Sequence, residues 1–345
     1  MPRTNWIRSS QMSGAEPFEQ PPLTRRADGG PRRIGIEIEF GGLRPEAILA
    51  AIQAAIGGRV ERRSQVAYRI HDTDVGKLEL ELDFLLLQKA AEAQGQIGDL
   101  PEWIMEVSTW TAEWLERIVS QVVPWEIVTA PIPMTDMHRL EPLVTTLREA
   151  GALGTRHAPH FAFGVHLNPE MPDLTADSLT RYLKAYLCLK DWLRERSRLD
   201  LLRVLSPYIS DFEAGYVRKV VVPSYQPDHD ALIDDYLEWN PTRNRSLDML
   251  PVLAEVDAER VLRKVDDPLI KARPALHYRL PNCEIDEPTW RLEPLWNDWL
   301  EVERLAADPE RLERMGAAYG RWLARLHVPF DDGWARATSD WLRPK

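Results

Sequence analysis

The run Arg32-Arg33-Ile34-Gly35-Ile36-Glu37-Ile38-Glu39-Phe40 alternates strictly from Ile34 onward between apolar and small or acidic residues. A period of two predicts a β-strand with Ile34, Ile36, Ile38 and Phe40 on one face. Gly35, Glu37 and Glu39 share the other face, and the two carboxylates stand roughly 7 Å apart. That spacing lets them repel each other or share a divalent cation. A strand with so apolar a back is normally buried, and buried carboxylates need a metal or a basic partner. An edge strand with a solvated acidic face satisfies the same alternation, so both readings stand on this run alone.

With 345 residues, 44% of them hydrophobic, the chain can build a sizeable core in one large or two ordinary domains. A formal net charge of −11 argues against a nucleic-acid surface as its main business. A local arginine cluster can still serve an anionic substrate. Cys188 and Cys283 are too few for a disulfide framework, lack metal-ligand spacing and read as ordinary thiols. No apolar run approaches the ~18 residues of a membrane span, and the N-terminus lacks a signal-peptide core. The expectation is a soluble, cytoplasmic protein with no membrane partner.

Residues 1–30 are polar, rich in Pro, Gly and Arg, and aperiodic, which predicts a disordered leader. A helix is predicted from Pro45 to its stop at Gly57-Gly58. Strands follow around Val66–Ile70 and over Lys77–Asp83, with Asp72, Asp74, Glu81 and Asp83 as further candidate acids and Glu79 read as solvated. Residues 84–122 read as mostly helical, anchored by Trp103, Trp110 and Trp114. A strand over Trp125–Ala130, a helix capped by Asp136 and closed by Gly151, and a strand His160–Leu167 come next. Thr175 opens a long amphipathic helix to about Leu199. Residues 200–260 are less regular, Ala275–Leu280 is a short strand, and the Trp- and Leu-rich tail is helical. No βα turn carries a Gly-rich phosphate fingerprint, so the predicted class is α+β with a largely antiparallel sheet.

Three more strand-borne groups bear on chemistry. Glu126 is a single acid in the apolar strand Trp125–Ala130. His166 shares a face with the small residues Ala162 and Gly164, which leaves room beside an imidazole able to ligate metal. His277 and Arg279 share a face in Leu276-His277-Tyr278-Arg279-Leu280. An arginine on a core strand is costly unless it meets an anion, and guanidinium suits phosphate or carboxylate oxygens. A solvated edge Glu, a satisfied core histidine and a structural ion pair are the alternative readings of these three. The chain has no Walker loop, no Gly-x-Ser-x-Gly and no His-Glu-x-x-His helix. Carboxylates, an imidazole and an arginine without a nucleophile suit metal-assisted work on a phosphorylated species.

Arg33–Phe40, Trp125–Pro131, Phe163-Gly164-Val165-His166-Leu167-Asn168 and His277–Pro281 resemble, in order, the motifs of the putative amidoligase family. That family groups with the carboxylate–amine ligases of the glutamine synthetase and γ-glutamylcysteine ligase fold. The resemblance implies a curved, largely antiparallel catalytic sheet with helices on its outer face over residues 31–290; the leader and the helical C-terminal extension over 291–345 lie outside it. It implies ATP-dependent amide formation through an acyl phosphate, with ATP and Mg²⁺ or Mn²⁺. Glu37, Glu39 and Glu126 match metal-binding acids, and His166 matches the histidine on the nucleotide-side metal. Arg279 matches the arginine that stabilises the transferring phosphoryl group. His277 departs from the pattern, standing where glutamine synthetases carry a glutamate, and is a candidate ligand of lower charge. Asn168, Arg243 and Arg245 are candidates for substrate or nucleotide. The implied partners are small-molecule or peptide carboxylates and amines, and a homo-oligomer is left open. A metal-dependent hydrolase and a binding module without turnover are the alternatives.

Overall fold

The computed structural model describes residues 18–64, 66–83, 124–156, 163–197, 210–325 and 333–342. The alternating run forms β1 (Arg33–Phe40), and it lies inside a sheet rather than at an edge. The other strands are β2 (Arg59–Arg62), β3 (Ala67–Thr73), β4 (Gly76–Leu82), β5 (Trp125–Thr129), β6 (Ile132–Pro133), β7 (Val165–Pro169), β8 (Leu247–Asp248) and β9 (His277–Tyr278). Their order is β2-β3-β4-β5-β1-β7-β9-β8, open at both ends, with β6 also paired to β1. Every pairing is antiparallel, in agreement with the α+β expectation.

Register turns the alternation of β1 into rows across the sheet. Ile38 opposes Ile127 and Val165, and Ile127 opposes Leu80, while Ile36 opposes Leu167 and Leu167 opposes Tyr278. These residues form one apolar face, on which Ile34, Ile36, Ile38 and Phe40 have no solvent exposure. Each such side chain contributes about 1.5–3 kcal/mol on burial.

Ten α-helices accompany the sheet among the described residues. Helices α1 (Pro45–Ile56) and α2 (Glu141–Glu149) pack on each other and bury Ile48, Ile52, Leu143 and Leu147 in the same core as β1. Helix α3 (Ala176–Arg196) starts where the Thr175 Oγ1 accepts the Ser178 N–H at 3.2 Å, a side-chain cap that fits the predicted start. Shorter helices α4 (Ala214–Val221), α5 (His229–Trp239), α6 (Leu250–Val256) and α7 (Ala258–Lys264) occupy the irregular middle of the sequence. Helices α8 (Leu292–Ala306), α9 (Pro309–Leu323) and α10 (Gly333–Leu342) pack on α3. Tyr278 of β9 meets Tyr186 of α3 and Trp299 of α8 at ring distances of 5.9 and 5.0 Å, so these helices back the sheet directly.

Three expectations change. Residues 18–30 are held against the fold: the Ala27 N–H donates to Pro172 O, and the Trp296 indole donates to Glu19 O at 2.8 Å. Polar composition misled here because backbone and charged groups anchor the segment, aided by Phe18 packed on the core and a buried Pro21. The C-terminal helices are core, since Trp296 and Trp299 of α8 are fully buried. Asp72 and Asp74 lie exposed in the β3–β4 hairpin, away from the other acids, because turn chemistry recruited them. The helix predicted over 84–122, and His160 to Ala162, lie outside the described residues. No helix among the described residues is long and apolar enough to cross a membrane.

The same hairpin yields a stability prediction. Gly76 has φ +88° with nothing within 4 Å of where a Cβ would stand. Gly76→Ala is expected to cost about 1 kcal/mol from backbone conformation alone, and Gly76→Asn less. Urea unfolding of both variants checks this; an Ala variant as stable as the parent would contradict it.

Candidate active site on the polar face of the sheet

The face of β1 opposite the core carries the chemistry. Glu39 opposes Glu126 on β5, and Glu126 opposes Glu81 on β4. Glu37 opposes His166 on β7, and Gly35 opposes Asn168. Because Leu167 opposes Tyr278, Asn168 stands beside His277 and His166 beside Arg279. His277 in turn opposes Asp248 on β8. Neighbouring strands are about 4.8 Å apart, so six adjacent strands deliver these groups to one face of the sheet.

His166 is the hub. Its Nδ1 lies 2.7 Å from Glu37 Oε2, and its Nε2 lies 3.3 Å from Glu39 Oε1. The other oxygen of Glu37 accepts the Asn168 amide N–H at 2.9 Å. Glu39 Oε2 accepts the Gly164 backbone N–H at 2.6 Å, which fixes that carboxylate against β7. The rings of His166 and His277 meet edge to face at 5.2 Å.

Two sets of donors can each close on one ion: Glu37 with His166 and His277, and Glu39 with Glu126 and His166. In each set the ligand atoms lie within 4.8 Å of one another. His277 supports the fit most directly. Its Nε2 is 3.6 Å from Glu37 Oε2 and its Nδ1 is 3.7 Å from Asp248 Oδ2, both beyond hydrogen-bond reach. Both ring nitrogens and Asp248 Oδ2 are buried without a hydrogen-bond partner. Orphaned buried polar atoms that converge are the mark of a site that takes a further group.

Electrostatics point the same way. Burial would raise the Glu37 carboxyl, but the imidazoles of His277 and His166 hold it well below the usual carboxylate range. Burial pushes Glu126 well above that range, with Glu37, Asp83 and Glu39 adding their repulsion. Burial also lowers His166, against the pull of Glu39 and Glu37. A divalent cation would relieve the crowding of carboxylates that pushes Glu126 upward.

Of the predicted residues, Glu37, Glu39, Glu126, His166, Asn168 and His277 are brought together. Arg279 stands beside His166, which feels its charge, and its Nη1 donates to Arg243 O at 2.8 Å. Arg245 is not part of the patch: it is buried, donates to Trp239 O at 2.9 Å and to Asp211 O, and lies over the Phe212 ring. Its Nη atoms are spent on acceptors within the protein. Glu79 is half-buried and paired with Arg69 at 2.9 Å rather than solvated, and Glu81 is exposed at the margin. Asp83 contributes through its charge on Glu126.

Sequence reading missed Asp248 and Arg273. Asp248 is wholly buried between Leu247 and Met249, and an acid inside so apolar a run was the available signal. Arg273 donates to Asn168 Oδ1 at 3.0 Å from a loop with no periodicity.

No curated protein and no solved structure matches the chain. The family profile described as "Putative amidoligase enzyme" matches residues 30–301, a span from the residues leading into β1 to the middle of α8. On that match the chain belongs to this amidoligase family.

Proposed function

We propose that the protein is an ATP-dependent carboxylate–amine ligase that forms an amide through an acyl phosphate, on a sheet of the glutamine synthetase type. The observation that carries this reading is the pair of overlapping donor sets on one sheet face, joined at His166. Family membership supports the ligase class. Glu37 and His277 would hold one Mg²⁺ or Mn²⁺ and Glu39 and Glu126 a second, with the single lone pair of a neutral His166 ring serving one of the two. Asp248 would steady the His277 ring. When bound, such ions neutralise phosphate oxygens and orient the transferring group.

The protein's own residues then have separate tasks. Asn168 and His166 grip the two oxygens of Glu37 and fix its direction. The Gly164 N–H does the same for Glu39. Arg279, held through Arg243 O, compensates negative charge on the phosphoryl group in flight. A substrate carboxylate oxygen attacks the γ-phosphorus and ADP leaves. An amine nitrogen then attacks the acyl carbon, loses a proton and expels phosphate. No enzyme nucleophile is required. The substrates are small-molecule or peptide carboxylates and amines, not nucleic acid.

Hydroxylamine can stand in for the amine. With a panel of amino acids and dicarboxylates, hydroxamate is expected only when ATP and Mg²⁺ are both present. Metal-dependent hydrolysis without ATP would overturn the reading in favour of a hydrolase. Nucleotide binding without product across the panel would leave a binding module.

A further inference from the structure

Beyond Arg279, two arginines border the patch without a role in the chemistry above. Arg273 is partly buried, and its backbone N–H is tied to Pro251 O at 3.1 Å. Its guanidinium donates to Asn168 Oδ1 at 3.0 Å and to Lys271 O at 3.4 Å, both uncharged acceptors. The same Asn168 donates to Glu37 on its other side. The amide is therefore a spacer: it holds the cation one group away from the carboxylate and prevents their direct pairing.

Arg243 repeats the pattern from another loop. The nearest carboxylate to its guanidinium is Asp267 at 4.0 Å, the outer limit of an ion pair. Its Nε is buried with no hydrogen-bond partner. Its backbone oxygen receives Arg279, which anchors this loop beside the strand that faces His166. Among the described residues, neither guanidinium has a hydrogen-bonded carboxylate.

We propose that Arg243 and Arg273 form an anion-binding subsite at the His277 edge of the patch. It takes one anionic oxygen group, either a carboxylate of the acid substrate or a phosphate of the nucleotide. Guanidinium presents a planar fork of donors that matches both. Two partly desolvated cations are unfavourable neighbours; burial lowers Arg273 and the charge of Arg243 adds to that. Glu37 and Asp248 offset part of this charge at a distance, yet Arg273 meets only uncharged acceptors and the Arg243 Nε is left without one. An anion reaching both guanidinium groups would take up the Arg243 Nε–H and give Arg273 a charged acceptor in place of neutral ones, beside the Glu37 end of the acidic patch. The biological role of the subsite rests on the ligase reading, whereas its existence does not.

The test uses the full chain, stripped of metal with a chelator, and three probes in calorimetric titrations: inorganic phosphate, ADP and glutarate. The parent is expected to bind at least one probe, and Arg273→Gln and Arg243→Gln are each expected to weaken it about tenfold, equivalent to about 1.4 kcal/mol. Weakening confined to glutarate assigns the subsite to the substrate carboxylate; weakening confined to phosphate and ADP assigns it to the nucleotide. Arg273→Gln also unhooks Asn168, so Arg243→Gln, which makes no bond to Asn168, is the independent arm. Arg273→Lys should recover part of the loss. No binding of any probe by the parent, or unchanged affinities in both Gln variants, overturns the proposal. Because no turnover is read, loss of the ligase reading would not by itself remove the subsite.

Discussion

Glu37→Gln is expected to lower ATP-dependent amide formation roughly a thousandfold. That is about 4 kcal/mol of transition-state stabilisation. Glu37 is the acid with the most connections in the patch: one oxygen meets His166, the other meets Asn168, and His277 stands 3.6 Å away. Gln retains the shape but cannot offer a charged oxygen to a cation. Stability should change little, because two effects of opposite sign meet. The variant loses a charge-assisted bond to His166, a contribution of about 1.5–3 kcal/mol. It also removes the largest single charge pressing on Glu126, whose carboxyl burial and Glu37 together push well above its ordinary range. Turnover of the variant, measured beside its urea midpoint, separates the site from the fold. Parental turnover would remove Glu37 from the metal site, and a collapsed midpoint would make it a structural residue.

How far these residues could be read in advance follows from where each sits. Alternation in β1 was enough to separate Ile34, Ile36, Ile38 and Phe40, all fully buried, from Glu37 and Glu39, of which Glu39 is buried too. Whether the acidic face was wet could not be read from β1. That depended on β5 and β7 taking places on either side of it, a matter of register between segments some 90 and 130 residues away. Motif order supplied that information for Glu126, His166 and Arg279. It supplied none for Asp248, because β8 is two residues long and gives no period to detect. Arg273 sits in a loop and acts through Asn168, so only contact reveals it. Asp72 and Asp74 failed for the converse reason. Acids near a glycine stabilise a turn as readily as they bind metal, and the hairpin at Gly76 took them.

The second large effect lies under the sheet rather than on it. Arg32, immediately before β1, and Glu303 in α8 form a two-pronged pair at 2.8 and 2.9 Å with both side chains fully shielded from solvent. Arg32 also donates to Glu170 O and Leu23 O, while Tyr182 and Trp299 donate to the Glu303 carboxylate. Burial would lower the Arg32 pKa, but Glu303 outweighs it and raises it, so the guanidinium stays charged whatever the pH of an assay. Glu303→Ala therefore strands a cation in the interior and leaves two donors without their acceptor. The expected loss is about 3–5 kcal/mol in urea unfolding, a third or more of a typical domain's stability. Arg32→Met combined with Glu303→Leu should lose less than Glu303→Ala alone, since no buried charge remains and only neutral groups, the Tyr182 and Trp299 donors and the Glu170 and Leu23 carbonyls, are unmet. This pair ties the strand that carries Glu37 to a C-terminal helix, so the acidic face of the sheet and the tail should unfold in one transition. A Glu303→Ala variant within about 1 kcal/mol of the parent, or a separate early transition of the tail, would show that β1 holds its place without α8.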